Sequence, residues 1–115
     1  MRDFRKLEVW HQSMELTDKI YNLCDIFPRS EQFGIVQQMQ RCSVSIPSNI
    51  AEGCSRDTSK EYSRFIQIAL GSAFELETQL LISQKREFFE GNQDVFELLN
   101  IVQKRLNALN KSIKG

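Results

Sequence analysis

A chain of 115 residues can bury one hydrophobic core but not two, so a single domain over residues 1–115 is expected. Its 41% hydrophobic and 26% charged residues are ordinary for a globular protein and exclude a disordered or collagen-like chain. Lys and Arg number 15 and Asp and Glu 15, so the total charge by itself argues for no nucleic-acid partner.

The opening stretch, MRDFRKLEVWHQ, lacks the continuous apolar core of a secretory signal, and no apolar run approaches the roughly 18 residues of a membrane span. A cytoplasmic protein without a membrane partner is expected. The first helix is read over about residues 5–27. Leu7, Trp10, Met14, Thr17, Tyr21 and Cys24 step by three and four, the period of one helical face. A second row, Ser13, Leu16, Ile20, Leu23 and Phe27, runs beside it, and two adjacent seams make a wider apolar surface than one core needs. Pro28 closes the helix, because the residue before a proline is pushed out of helical geometry.

The stretch CSVSIPSNIAEG, Cys42 to Gly53, alternates like a strand before Pro47. Yet Val36, Met39, Ser43, Ile46 and Ile50 keep helical spacing straight through the proline, and no other segment offers a strand partner. One helix over about 30–52 is expected, with Ser30 as its N-cap, Gly53 at its end and a bend at Pro47. An interior proline removes one N–H and crowds the carbonyl of Ser43, which costs about 3 kcal/mol in an ordinary helix. Ser43 and Ser45 are placed to hydrogen-bond backbone there.

The third helix, about 58–89, opens on a capping box in which Thr58 and Glu61 serve each other's backbone. Tyr62, Ile66, Ala69, Ala73, Leu76 and Leu80 form its core face, and Ala69 to Ala73, with Gly71 at the centre, removes bulk so that another helix can come close. Gly91 and Asn92 separate it from the fourth helix, about 93–113, where Val95, Leu98, Val102, Leu106, Leu109 and Ile113 share one face. Short connections imply antiparallel neighbours, hence an all-α, up-and-down four-helix bundle.

The segment FPRSEQFGIVQQMQRCSVSIPSNIAEGCSRDTSKEYSRFIQIALGSAFELETQL, Phe27 to Leu80, resembles the 23S rRNA intervening sequence proteins, also called the S23 ribosomal protein family. The pattern includes Phe27-Pro28, Glu31, Gly34, Gln38, Arg41, Ser45-Ile46-Pro47, Asn49-Ile50-Ala51-Glu52-Gly53, Phe65, Ala69-Leu70-Gly71-Ser72 and Glu75-Leu76-Glu77. The resemblance implies four-helix protomers in a ring-shaped homo-oligomer, a pentamer, with no enzymatic activity. It also implies a relation to the accessory protein of diversity-generating retroelements, which binds nucleic acid. This chain has Gln40-Arg41 where the family commonly shows two arginines, which removes one phosphate contact.

From Leu98 onward Lys104, Arg105, Lys111 and Lys114 stand without an acid, whereas Glu75 to Glu97 holds six acids against Lys85 and Arg86. The four basic residues are therefore the candidate contacts to RNA or DNA, although an exposed charged face is ordinarily just solvated. Arg41, Asn49, Glu52 and Glu77 admit two readings: a recognition cluster, or polar groups that satisfy broken backbone near Pro47 and pair across helices. If Arg41 faces a carboxylate, Glu52 and Glu77 are the candidates. Phe88 and Phe89 beside Lys85 and Arg86 suit either a stacking platform or core packing.

No catalytic residue is assigned. His11 is the one histidine, with no recognisable nucleophile arranged around it, and Glu75 and Glu77 sit two apart, on different sides of a helix. Cys24, Cys42 and Cys54 form no CxxC pair, so neither a disulfide framework nor a zinc site is expected. No glycine-rich phosphate loop occurs, and neither a cofactor nor a small-molecule substrate is expected.

Overall fold

The computed structural model describes residues 2–115, which contain four α-helices and no strand. Asp3 opens the fold by accepting a hydrogen bond from the Arg5 backbone N–H at 3.0 Å, which sets up a short 3-10 turn at Phe4–Lys6. Leu7 is extended, with φ −88° and ψ 119°, so α1 spans Glu8–Cys24 rather than starting at residue 5. It ends early too. Asp25, Ile26 and Phe27 each donate three residues back, tightening the chain before Pro28.

A second 3-10 turn covers Arg29–Glu31, and α2 spans Ile35–Cys54. Ser30 does not cap it: its hydroxyl donates to the Glu31 carboxylate at 3.4 Å, and Gly34, outside helical geometry, stands immediately before the first turn. The helix runs through Pro47 without a break and takes in Gly53. The Ser43 carbonyl, which Pro47 cannot serve, instead accepts the Thr17 hydroxyl of α1 at 3.0 Å.

α3 spans Ser59–Lys85 and starts where expected, with the Thr58 hydroxyl accepting from the Glu61 N–H at 3.1 Å. It stops before residue 89 because Glu87 turns left-handed at φ 62°. Phe88 N–H then bonds the Ser83 carbonyl and Glu87 N–H the Gln84 carbonyl, the paired closure that ends many helices, here with glutamate in the place usually held by glycine. Phe88 and Phe89, released from the helix, pack on Phe27 with ring centroids 5.7 and 5.8 Å away. Gly91 and Asn92, both at positive φ, lead into α4, Gln93–Lys114.

α1 packs on α2 and α4, and α3 packs on the same two helices, so α1 and α3 take opposite corners of a body 44 Å long. The core takes the second seam of α1: Ser13, Leu16, Ile20, Leu23 and Phe27 are all buried. Of the first seam Met14 and Tyr21 are exposed, Leu7, Trp10 and Thr17 are half-buried and Cys24 is buried. Met39, Ile46 and Ile50 of α2, Ile66, Ala69, Leu76 and Leu80 of α3, and Val102 and Leu106 of α4 complete the interior.

Three side-chain hydrogen bonds staple α2 to α3 along their length, Ser45 to Ser72 at 2.8 Å, Ser83 to the Met39 sulfur at 3.7 Å and the Cys54 thiol to the Tyr62 hydroxyl at 4.0 Å. Between α3 and α4, Ser63 meets Asn110 and Gln103 reaches the Ala73 carbonyl. Between α1 and α4, Glu8 meets Arg105 and Lys19 meets Asp94. Among the described helices α3 alone is long and apolar enough to cross a membrane, a property that the charged residues along it conceal from a search for unbroken apolar runs. One face of it, Ile66, Ala69, Ala73, Leu76 and Leu80, is inaccessible inside the bundle, whereas Ile68, Phe74, Leu81 and Ile82 are exposed.

Candidate nucleic-acid interface

The four basic residues of α4 do not form one row. At about 100° per residue, Lys104, Lys111 and Lys114 fall within roughly 80° of one another, whereas Arg105 stands about 100° from Lys104. Arg105 is also committed, its guanidinium 3.2 Å from the Glu8 carboxylate on α1. The three lysines are exposed and have no ion-pair partner among the described residues.

Lys114 reaches a groove of about 710 Å³ between the end of α4 and the start of α3, where Lys60 and Arg64 join it and Ile113 forms one wall. Lys60 and Arg64 were not singled out from the sequence. Their spacing, one helical turn apart, is legible there, but nothing in it places them beside Lys114. The floor is tied together, since Gln67 donates to the Ser63 hydroxyl at 3.1 Å and Ser63 donates to the Asn110 side chain.

Arg41, Asn49, Glu52 and Glu77 are not brought together. Arg41 is exposed and has no carboxylate partner among the described residues. Glu52 instead pairs with Arg56 at 3.2 Å, one turn along, and Glu77 accepts from the Gln103 side chain at 2.8 Å. Asn49 donates to the Ser45 carbonyl at 2.8 Å and to the Ser45 hydroxyl at 2.9 Å, a local role in the turn before Pro47, which is itself buried. A Cβ on Gly53 would lie 2.9 Å from the Phe65 Cβ, so this glycine is where α2 and α3 approach closely. Gly71 has the opposite setting: it is exposed, and a Cβ there would meet nothing within 4 Å.

At the turn between α2 and α3, Arg56 lies over the Phe65 ring at 4.8 Å and Arg2 over Tyr62 at 4.3 Å, while Arg2 donates to the Arg56 carbonyl at 2.8 Å. Burial pushes the neighbouring Cys54 thiol upward, against the Tyr62 hydroxyl and the Arg2 charge, which pull it down. Burial also drives Cys24 up to about 11 and raises Cys42. Thiols held protonated in this way are poor nucleophiles. His11 donates through Nε2 to the Arg5 carbonyl at 2.7 Å and meets Trp10 edge-on. Among the described residues no group of three or more His, Cys, Asp or Glu side chains is placed to hold a metal ion.

The model of the 23S rRNA-intervening sequence protein family matches residues 5–111, nearly the whole chain. The chain belongs to that family. It is similar to a protein of unknown function from the S23 ribosomal protein family of Bacteroides thetaiotaomicron, whose crystal structure superposes with a TM-score of 0.82. That match covers 90% of this chain and 95% of the other at 24% identity, and it shows a shared fold. No curated protein matches this chain. In this intervening sequence protein the family match takes in Lys60, Arg64, Lys104 and Lys111 and stops short of Lys114.

Proposed function

We propose that the chain is a non-enzymatic scaffold, an antiparallel up-and-down four-helix bundle that assembles into a ring-shaped homo-oligomer and binds structured RNA in the cytoplasm. The observation that carries this reading is how the surface is divided. Unpaired lysines and Arg64 gather where α3 begins and α4 ends, whereas Met14 and Tyr21 on α1 and Ile68, Phe74, Leu81 and Ile82 on α3 expose apolar side chains at opposite corners. Exposed apolar faces mark association surfaces. Two different faces that meet between copies form a head-to-tail contact, which closes into a ring when the rotation allows. A ring would repeat each weak basic surface, and the avidity so gained depends on the RNA touching several subunits at once.

The test pairs sedimentation equilibrium of the purified chain with fluorescence anisotropy against a labelled structured RNA. The expected result is an oligomer, dissociated by Phe74→Glu with Leu81→Glu, and RNA binding that weakens steeply as salt rises. A monomer would overturn the scaffold. An oligomer that binds no RNA even at low salt would leave an assembly that engages proteins only, the reading that the neutral total charge favours.

A further inference from the structure

The groove between α3 and α4 has features that a solvated charged surface lacks. Three cations from two helices converge on one concavity: Lys60 and Arg64 from the first turns of α3 and Lys114 from the last of α4. None of them has an ion-pair partner among the described residues. Glu61, a carboxylate on the same wall, sets one negative charge against these three positive ones. The groove is open to solvent and offers about 710 Å³. Ile113 supplies an apolar wall, and the Gln67–Ser63–Asn110 hydrogen bonds hold the two helices in register beneath it.

We propose that this groove holds an unpaired nucleotide of an RNA strand, with its phosphate among Lys60, Arg64 and Lys114 and its base against Ile113. The proposal rests on the RNA-binding reading and names the part of the RNA that is read. A recess walled by two helices admits a splayed strand more readily than the convex backbone of a duplex, and unpaired, unstacked nucleotides are what proteins ordinarily recognise in RNA. Cations fix the phosphate, as in single-strand sites generally, while Ile113 offers the base an aliphatic surface where such sites ordinarily use an aromatic ring. Lys104 and Lys111, farther back on α4, extend the charged track beyond the groove, and Arg105 is turned away to Glu8.

The experiment is fluorescence anisotropy with three labelled probes, a short single-stranded RNA, an RNA hairpin with an open loop and a blunt RNA duplex, over a range of salt. Four proteins are compared: the wild type, the triple variant Lys60→Gln, Arg64→Gln, Lys114→Gln, the single variant Ile113→Ser, and a control with Lys85→Gln and Arg86→Gln at the far end of α3. Circular dichroism and sedimentation check that each variant keeps its fold and assembly. The triple variant is expected to lose at least about tenfold in affinity for the single strand and the hairpin, and its salt slope should shrink by about 0.7, the contribution of one neutralised phosphate on a single strand. Ile113→Ser should weaken binding severalfold without changing the slope, and the control should behave as wild type. Wild-type affinity in the triple variant would overturn the groove while leaving RNA binding intact. Equal loss for duplex and single strand, or no effect of Ile113→Ser, would overturn the nucleotide pocket. A wild type that binds none of the probes would overturn the RNA reading and the groove together.

Discussion

Thr17→Val is expected to cost about 1–3 kcal/mol, the penalty for leaving a buried carbonyl without a donor. Pro47 has no N–H, so the Ser43 carbonyl lacks the bond that a helix would otherwise supply four residues on. Ser43 is inaccessible to solvent, so water cannot take that place. The Thr17 hydroxyl does, its single proton shared between the Ser43 carbonyl at 3.0 Å and the Ser13 carbonyl at 2.9 Å, and of the two Ser43 is the one that lacks a helical N–H. Valine keeps the shape of threonine and removes only the donor. The decisive comparison is a double-mutant cycle with Pro47→Ala, which restores an N–H at residue 47 and with it a helical partner for Ser43. In that background Thr17→Val should cost at least about 1 kcal/mol less, a coupling well above the 0.3–0.5 kcal/mol scatter of independent sites. Urea unfolding of the four proteins, followed by far-UV circular dichroism at one protein concentration, measures the cycle without interference from self-association. Equal costs in both backgrounds, or no cost in either, would refute the idea that α1 satisfies the carbonyl that the proline strands.

The two helical glycines should respond in opposite directions to the same change. Gly71→Ala, with open space around its Cβ, should raise stability by about 1 kcal/mol through helix propensity. Gly53→Ala, which forces a Cβ to 2.9 Å from Phe65 and 3.1 Å from Tyr62, should lose more to overpacking, about 1–3 kcal/mol, than it gains. Thermal melts decide this, and a Gly53→Ala protein that melts as high as Gly71→Ala would remove the close approach of α2 to α3. A third expectation concerns alkaline pH. The Cys24 thiol is pushed from 9.0 to about 11 by burial, so above pH 9 the unfolded chain releases a proton that the folded chain keeps. Stability therefore falls as pH rises from about 9 to about 11, by roughly 2–3 kcal/mol for this group. Tyr62, raised to about 12, adds to the loss at still higher pH. Urea midpoints measured across that range should decline more gently in Cys24→Ala, and an unchanged slope would assign the effect elsewhere.

What the sequence makes legible here is burial on a repeating face. Ile46 and Ile50 keep step past Pro47 because both face the interior, and the helix is continuous there. Thr58 and Glu61 announce the start of α3 because a cap is a local interaction. The misses are of two physical kinds. Some are local backbone choices that tertiary packing imposes: Phe88 and Phe89 continue a helical pattern, yet Glu87 turns left-handed and the aromatic pair packs on Phe27. Ser30 is a good capping residue that finds no helix to cap, because α2 begins five residues later. Others are contacts between segments far apart in the chain. Nothing near Gly71 in sequence tells that it faces outward while Gly53 faces α3, nor that Glu8 neutralises Arg105, nor that Lys60, Arg64 and Lys114 share a groove.

The neutral total charge, which reads as an argument against a phosphate partner, loses its force once the charges are placed. The Arg2–Arg56, Glu8–Arg105 and Ser63–Asn110 contacts bring the starts of α1 and α3 together with the ends of α2 and α4. That end carries Arg2, Arg5, Lys6, Arg56, Lys60, Arg64, Arg105, Lys111 and Lys114 against Asp3, Glu8, Glu52, Asp57 and Glu61, while Lys104 sits at mid-length beside the Gln103–Glu77 hydrogen bond. Three of those five acids are already paired, Asp3 with Arg5, Glu8 with Arg105 and Glu52 with Arg56. The Lys19–Asp94 pair and the Phe27–Phe88 contact mark the other end, where Asp18, Asp25, Glu31, Glu87, Glu90, Asp94 and Glu97 outnumber Lys19, Arg29, Lys85 and Arg86. The molecule is 44 Å long, and at physiological ionic strength the screening length is about 8 Å. A partner at the basic end therefore meets the local excess of positive charge and is shielded from the acids that cancel it in the sum. The groove of Lys60, Arg64 and Lys114 lies in that excess, so a phosphate strand is attracted to one end of a protein whose net charge is zero.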